Sequence, residues 1–123
     1  MYKLSFGTIA IVTPDIIEVT FDEGVDIDLG MVHDFWNFVD EKMNKQASII
    51  LNKAASYSYQ FDALMALSES DRIKSVGVVS YDEMSANASD YMRKAFNKSG
   101  KNVEIFNSKA LALHWLKEID SNE

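Results

Sequence analysis

The closing stretch of this 123-residue chain, NVEIFNSKALALHWLKEI, limits the possible folds more than any other segment. Residues 102–106 alternate between polar and apolar side chains, as in a β-strand. Asn107 and Ser108 then lead directly into a pattern typical of an amphipathic helix. Earlier segments repeat this succession of strand and helix. Because strands that alternate with helices pair in parallel through right-handed crossovers, the chain is predicted to be an α/β protein.

The predicted elements follow the order β-β-α-β-α-β-α-β-α in a single domain spanning residues 1–123. The expected sheet is mixed but mostly parallel, and its five strands include an antiparallel hairpin at one edge. Strands are predicted at residues 3–12, 16–21, 48–51, 75–80 and 102–106, with a turn around Pro14 between the first two. Helices are predicted from about residue 28 to 44, from 58 or 59 to 68, from 83 to 98, and after Ser108.

The apolar positions of the predicted helices indicate which helix faces are buried. Core packing is the ordinary explanation of such positions, but the apolar face of the first helix is unusually wide. A single layer of sheet is not expected to cover all of it. Phe35, Trp36 and Phe38 are therefore candidates for an interface with a second subunit or for an apolar pocket. In the later helices, the residues predicted to point inward include Phe61, Tyr91 and Leu111.

Composition and charge exclude several classes of function. The net charge of −7 disfavours binding to nucleic acid, which requires clustered lysine and arginine. The chain has no cysteine, no apolar run of the roughly 20 residues that cross a bilayer, and no signal-peptide pattern, so a cytoplasmic location is expected. Residues 15–41 hold nine acids and no lysine or arginine, whereas residues 72–101 hold six bases and three acids. Solvated helix faces explain this best, and charge-guided association with a partner or another copy is the alternative.

No segment carries a catalytic, metal-binding or phosphate-binding signature. The acidic residues 22–28 lack the closing glutamate of a calcium loop, so they are predicted to form a turn and the N-cap Asp28 of the first helix. His33 and His114 have no second histidine at ligand spacing, and no nucleophile elbow or glycine-rich phosphate loop is present. A non-enzymatic protein without a cofactor or a metal is therefore expected.

The chain resembles the STAS family, which includes bacterial anti-sigma-factor antagonists and their small relatives and is distantly related to CRAL-TRIO lipid-binding domains. The resemblance covers nearly the whole chain and is carried by IIEVTFDEG, VDIDLGMVHDFWNFVDE, SIILNKA, SVGVVS and VEIFNSKALALHWLKEI. It implies a regulatory module that acts through protein contacts, with a partner protein or as a homodimer. The CRAL-TRIO relationship implies an alternative, in which Tyr57, Tyr59, Phe61 and the first helix line a pocket for a lipid or other small apolar molecule.

The resemblance does not extend to the motif that is phosphorylated in anti-sigma-factor antagonists. That motif is of the Asp-Ser-Ser-Gly type and follows the third strand, where this chain reads Asn-Lys-Ala-Ala-Ser-Tyr-Ser over residues 52–58. Ser56 and Ser58 lie in roughly the corresponding place and are candidates for a phosphosite or a partner-binding loop. Ser58 is better explained as the N-cap of the second helix, so phosphorylation is not predicted.

Overall fold

The structure, a computed structural model, describes residues 1–121, apart from the side chains of residues 83–88 and 121. The strands are β1 (Tyr2–Leu4), β2 (Gly7–Thr13), β3 (Ile16–Phe21), β4 (Asp26–Ile27), β5 (Ala47–Lys53), β6 (Ser58–Tyr59), β7 (Ile73–Ser80) and β8 (Asn102–Phe106). The helices are α1 (Leu29–Lys42), α2 (Phe61–Glu69), α3 (Glu83–Lys98) and α4 (Lys109–Ser121). The predicted α/β class is confirmed. In this part of the chain, no helix is long and apolar enough to cross a membrane.

The main sheet has six strands in the order β1-β2-β3-β5-β7-β8, so the predicted count of five is wrong. The β1–β2 and β2–β3 pairs are antiparallel, and the remaining pairs are parallel. The extra strand arises because residues 3–12, predicted as one strand, turn back before Gly7. A Cβ atom at Gly7 would lie 2.1 Å from the backbone oxygen of Thr20 in β3. Glycine is therefore required where β2 begins.

Helices α1, α2 and α3 lie on one face of the sheet, and α4 lies on the other. Strands β3, β5, β7 and β8 are neighbours in chain order, so right-handed crossovers place all three connecting helices on the same side. The side chains of β5 follow this division, since Leu51 belongs to the core beneath α1, α2 and α3, whereas Ile50 packs with Ala112 and Leu116 of α4.

Local sequence explains where several helices begin and end. The Asp28 carboxylate accepts a hydrogen bond from the Met31 N–H at 2.9 Å, which confirms the predicted N-cap of α1. Gly100 adopts a φ of +84° after α3, and the N–H groups of Gly100 and Lys101 donate to the carbonyls of Asn97 and Phe96. This arrangement ends α3 where the glycine predicts it.

Three residues that were predicted to be buried are exposed: Phe61 (69%), Tyr91 (62%) and Leu111 (52%). Helix α2 begins at Phe61, later than predicted, and its inward face is formed by other residues such as Leu64. In α4 the inward positions are Ala112 and Leu116 rather than Leu111. The helical repeat in the sequence thus predicts an apolar face but misplaces its margins.

Candidate functional site

The carboxyl ends of β3, β5, β7 and β8 meet at one edge of the parallel sheet, where ligand sites commonly lie in open α/β folds. Two depressions open there, one on each side of the sheet. The first, here called the Lys53 groove, has a volume of about 270 Å³. It is lined by Leu51, Lys53, Tyr57, Ser58, Tyr59, Ser89, Tyr91 and Met92.

The position of Lys53 follows from strand alternation. Leu51 and Lys53 point to the same face of β5, so the strand carries its last side chain past the core and into the groove. The Lys53 ammonium lies 4.9 Å from the centre of the Tyr57 ring, within the range of a cation–π contact. Burial lowers the pKa of Lys53, and the nearby negative charge of Asp82 acts in the opposite direction.

Tyr57 and Tyr59 form an aromatic cluster with Phe21 at the end of β3. The ring centres of Tyr57 and Phe21 are 4.5 Å apart, and those of Tyr57 and Tyr59 are 5.6 Å apart, both edge-to-face. Burial raises the pKa of Tyr57 to about 12, and it raises the pKa of Tyr59 well above its usual value. The two side chains are also hydrogen-bonded to each other, which lowers the pKa of Tyr57 and raises that of Tyr59, so the Tyr59 hydroxyl donates to that of Tyr57 and the Tyr57 hydroxyl keeps its own donor.

The segment that carries these tyrosines is fixed to the acidic residues before α1. The two strands of the small sheet, β4 and β6, pair in parallel, with Asp26 opposite Ser58. The Glu23 carboxylate accepts a hydrogen bond from the Ser56 N–H at 2.8 Å, and that of Asp26 accepts one from the Ser58 hydroxyl at 2.8 Å. The acidic stretch thus holds the groove wall. The turn predicted there is found at Glu23 and Gly24, whereas Asp26 and Ile27 form the strand β4, which was not predicted.

The two candidate serines differ in their surroundings. Ser56 is exposed, and its carbonyl accepts a hydrogen bond from the Gly24 N–H. Ser58 is the first residue of β6 and not the N-cap of α2, so that prediction is wrong. The N-cap position belongs to Gln60, whose side chain makes no capping hydrogen bond. The role of Ser58 depends on its pairing with Asp26, which is distant in the sequence, so no local sequence pattern predicts this role.

The second depression lies on the α4 side of the sheet and has a volume of about 480 Å³. Here called the Tyr81 surface, it is open to solvent and is lined by Ser80, Tyr81, Asp82, Ile105, Phe106, Asn107 and Leu111. Tyr81 and Leu111 are 57% and 52% exposed, although both are large and mostly apolar. Phe106 forms the floor and contacts Trp115 of α4, with ring centres 5.5 Å apart.

A hydrogen-bonded network holds Tyr81 in place. Its hydroxyl donates to the Asn52 amide oxygen at 2.8 Å, and the Asn52 amide donates to the Glu18 carboxylate at 2.8 Å. Glu18 also pairs with Lys109 at 3.0 Å. The network joins Tyr81, the residue after β7, to β3, β5 and the first residue of α4, so three elements of the fold set the orientation of Tyr81.

The three apolar candidates of α1 pack against other residues of the same chain. Phe35 and Phe38 are each 6% exposed, because β1 and the turn before β2 cover them: Phe38 contacts Tyr2, and Phe35 contacts Phe6. The extra strand β1 supplies cover that the sequence did not lead us to expect. Phe35 also lines an apolar cavity of about 50 Å³ between the sheet and the helices.

Trp36 is partly buried beside Arg72 and His33. The Arg72 guanidinium lies 5.1 Å from the ring centre, and the His33 ring stacks at 5.2 Å. Within the described residues, the Trp36 indole N–H is the one buried side-chain nitrogen that lacks a hydrogen-bond partner. Arg72 is held by both carboxylate oxygens of Asp40, at 2.9 and 3.1 Å. These contacts give Trp36 a packing role between α1 and the start of β7.

The histidines lie apart from both depressions. His33 belongs to α1 and His114 to α4, on opposite faces of the sheet, and His114 pairs with Glu118 at 3.3 Å. Across the described part of the chain, no three histidine or acidic side chains are grouped in a way that could hold a metal ion. The chemistry that the geometry does assemble is therefore a lysine among phenols, and an exposed tyrosine beside leucine.

Sequence reasoning identified Tyr57 and Tyr59 but not Lys53, Tyr81 or Asn52. The signal available was the position of Lys53 directly after an apolar strand, at the sheet edge where ligand sites lie. When the chain is compared with protein-family models, with curated proteins and with solved structures, none of the three yields a match. The STAS-like assignment stays a prediction from the sequence.

Proposed function

We propose that this protein is a non-enzymatic, STAS-like regulatory module that acts through protein contacts, and that its first partner is a second copy of the same chain. The observation that supports this proposal is the Tyr81 surface, where an exposed tyrosine and leucine surround an open apolar depression. A rigid tyrosine at the centre of an apolar patch is a common anchor in protein interfaces. The assignment to a STAS-like role rests on resemblance alone.

The rigidity of Tyr81 favours a binding role over simple exposure. Ordering a mobile side chain on association costs about 0.5–1.5 kcal/mol. The hydrogen bond to Asn52 already restrains Tyr81, so association does not have to supply that cost in full. The Ser80 hydroxyl donates to the Asp82 carbonyl at 3.1 Å and so fixes the turn that presents Tyr81. The surface is thus formed before any partner arrives.

The charges around the Tyr81 surface favour a second copy over an unrelated partner. Asp82 lines the depression, and Lys109 lies two residues before Leu111 with a side chain that is 55% exposed. In a symmetric dimer formed through this depression, Asp82 and Lys109 of both copies would lie in or beside the same interface. Such a contact is self-complementary, as the interface of a symmetric dimer must be.

The alternative function, a carrier of lipid in a CRAL-TRIO-like interior pocket, has less support. The apolar cavity between the sheet and the helices measures about 50 Å³. Pockets for small molecules usually measure about 300–1,000 Å³. A lipid would require the core around Phe35 and Met92 to open.

Sedimentation equilibrium of purified protein tests the proposal. We expect the wild-type chain to dimerise and the variants Tyr81→Ser and Leu111→Ser to weaken dimerisation roughly tenfold or more each. Tyr91→Ser is the matched control, because Tyr91 is equally exposed but lies on the other side of the sheet. A wild-type monomer at all concentrations, or equal losses in the control, would overturn the proposal.

A further inference from the structure

We propose that the Lys53 groove is a binding site for a small organic carboxylate with one apolar ring or a short apolar chain. The Lys53 ammonium and the Tyr57 hydroxyl would hold the carboxylate, and Met92, Leu51 and Tyr91 would contact the apolar body. This site shares Asp82 with the dimer contact proposed above but involves neither Tyr81 nor Leu111.

The polar end of the groove has the donors that a carboxylate requires. Lys53, Tyr57 and Tyr59 all line the same groove, and the lysine lies over the Tyr57 ring at 4.9 Å. Hydrogen bonds between ionised partners are about twice as strong as those between neutral ones. Lys53 is partly buried, so part of the cost of removing water from its ammonium is met before a carboxylate arrives.

The rest of the groove is apolar and limits the size of the ligand. Met92 and Leu51 are buried members of the core, and their edges form the floor. Tyr91 is 62% exposed and stands at the rim, where its ring can cover a flat ligand. A volume of about 270 Å³ is below the usual range for drug-sized ligands, so a single ring or short chain fits best.

The groove walls are fixed before a ligand binds. Residues 56–60 are joined to residues 23–27 by backbone hydrogen bonds, including Ser58 N–H to the Val25 carbonyl at 3.0 Å and Gln60 N–H to the Ile27 carbonyl at 2.8 Å. Lys53 is the last residue of a central strand that is paired on both sides. The backbone positions of Lys53, Tyr57 and Tyr59 are therefore set by the fold, which lowers the entropy lost on binding.

Asp82 provides an electrostatic test of this assignment. Its negative charge acts on Lys53, so it competes with a bound carboxylate for the same ammonium. Removal of that charge by Asp82→Asn should strengthen the binding of a carboxylate. A purely structural role for Lys53 gives no reason for such a gain.

The experiment is a titration of ¹⁵N-labelled protein with 3-phenylpropionate, followed by NMR and calorimetry, with 3-phenylpropionamide as the uncharged comparison. We expect the carboxylate to shift the amide signals of Lys53, Tyr57 and Met92 and to bind about tenfold or more tightly than the amide. Lys53→Met should weaken carboxylate binding about tenfold, and Asp82→Asn should strengthen it.

Lys42→Met is the matched control, because Lys42 also lies over a tyrosine ring, 5.4 Å from the centre of Tyr2, but does not line the groove. It should leave the affinity unchanged. The proposal is overturned if the carboxylate does not bind, if the amide binds equally well, or if Lys42→Met and Lys53→Met have the same effect. The gain expected from Asp82→Asn keeps the test decisive even if Lys53→Met does not fold.

Discussion

The Tyr81 hydroxyl donates a 2.8 Å hydrogen bond to the Asn52 amide oxygen, and this bond ties the end of β7 to the end of β5. Asn52 passes the connection on to Glu18 of β3, which is also paired with Lys109 of α4. The Asn52 side chain therefore orders both the candidate interface and the edge of the sheet. The network makes testable claims about stability as well as about association.

Replacement of Asn52 by alanine removes both of its hydrogen bonds and leaves the Glu18 carboxylate with Lys109 alone. We expect the free energy of unfolding to fall by about 1–2 kcal/mol, since Glu18 is largely buried. Tyr81→Phe removes only the outer bond and should cost less. Urea denaturation measures both values, and a larger loss in Tyr81→Phe would show that the network is not organised as described.

The fold class was predictable from sequence because its signals are local. The continuous apolar runs of β5 and β7 and the Asn107–Ser108 junction before α4 each lie within a few residues. The Ser108 hydroxyl accepts a hydrogen bond from the Leu111 N–H at 3.2 Å, as the junction leads one to expect. Such patterns need no knowledge of distant parts of the chain.

The remaining features depend on contacts between distant residues. Ser58 resembles an N-cap, but its hydroxyl donates to Asp26, 32 residues earlier. Lys53 of β5 and Tyr91 of α3 line one groove although they are far apart in the sequence. The split between β1 and β2 depends on the approach of Gly7 to Thr20. No local pattern contains this information, so neither depression was predicted as a whole.

Gly7→Ala should destabilise the protein by at least about 2 kcal/mol, because a Cβ atom there would lie 2.1 Å from the Thr20 oxygen. Gly24→Ala is the control. Gly24 also has a positive φ, of +75°, but a Cβ atom at Gly24 would have no neighbour within 4 Å. Only the backbone cost of about 1 kcal/mol is expected there. Thermal or urea unfolding of the two variants compares these costs, and equal losses would contradict the close approach.

Helix α4 packs unusually close to the sheet at Gly77. A Cβ atom at this position would lie 3.2 Å from the Cβ atom of Ala112, so Gly77→Ala should cost about 1–3 kcal/mol. Combining it with Ala112→Gly removes the opposing methyl group. A double-mutant cycle should then show a favourable coupling of about 0.5 kcal/mol or more. If the losses in unfolding free energy are additive, the cost of Gly77→Ala does not come from contact with the Ala112 methyl group.

The tyrosine cluster predicts how stability changes at high pH. Burial raises the pKa of Tyr57 from 10.0 to about 12, so the unfolded chain releases this proton first as the pH rises. The stabilisation is complete below about pH 10 and is lost between pH 10 and 12. Urea midpoints measured across this window should fall less steeply in Tyr57→Phe than in the wild-type protein. An identical slope in both proteins would show that Tyr57 is not buried as described.

The central claim is that two copies meet at the Tyr81 surface, and a spin label tests it most directly. The chain has no cysteine, so Ala110→Cys in the first turn of α4 provides a single attachment site beside Leu111. Protein of natural isotope abundance that carries a nitroxide at position 110 is mixed with ¹⁵N-labelled wild-type protein. A label at Asn97→Cys, near the end of α3, serves as the control.

We predict that the label at position 110 broadens the amide signals of Tyr81 and Asn107 in the wild-type copy, and that the label at position 97 leaves them sharp. Amide signals that stay sharp with both labels, or broadening that affects only residues away from the Tyr81 surface, would contradict a dimer formed through this surface.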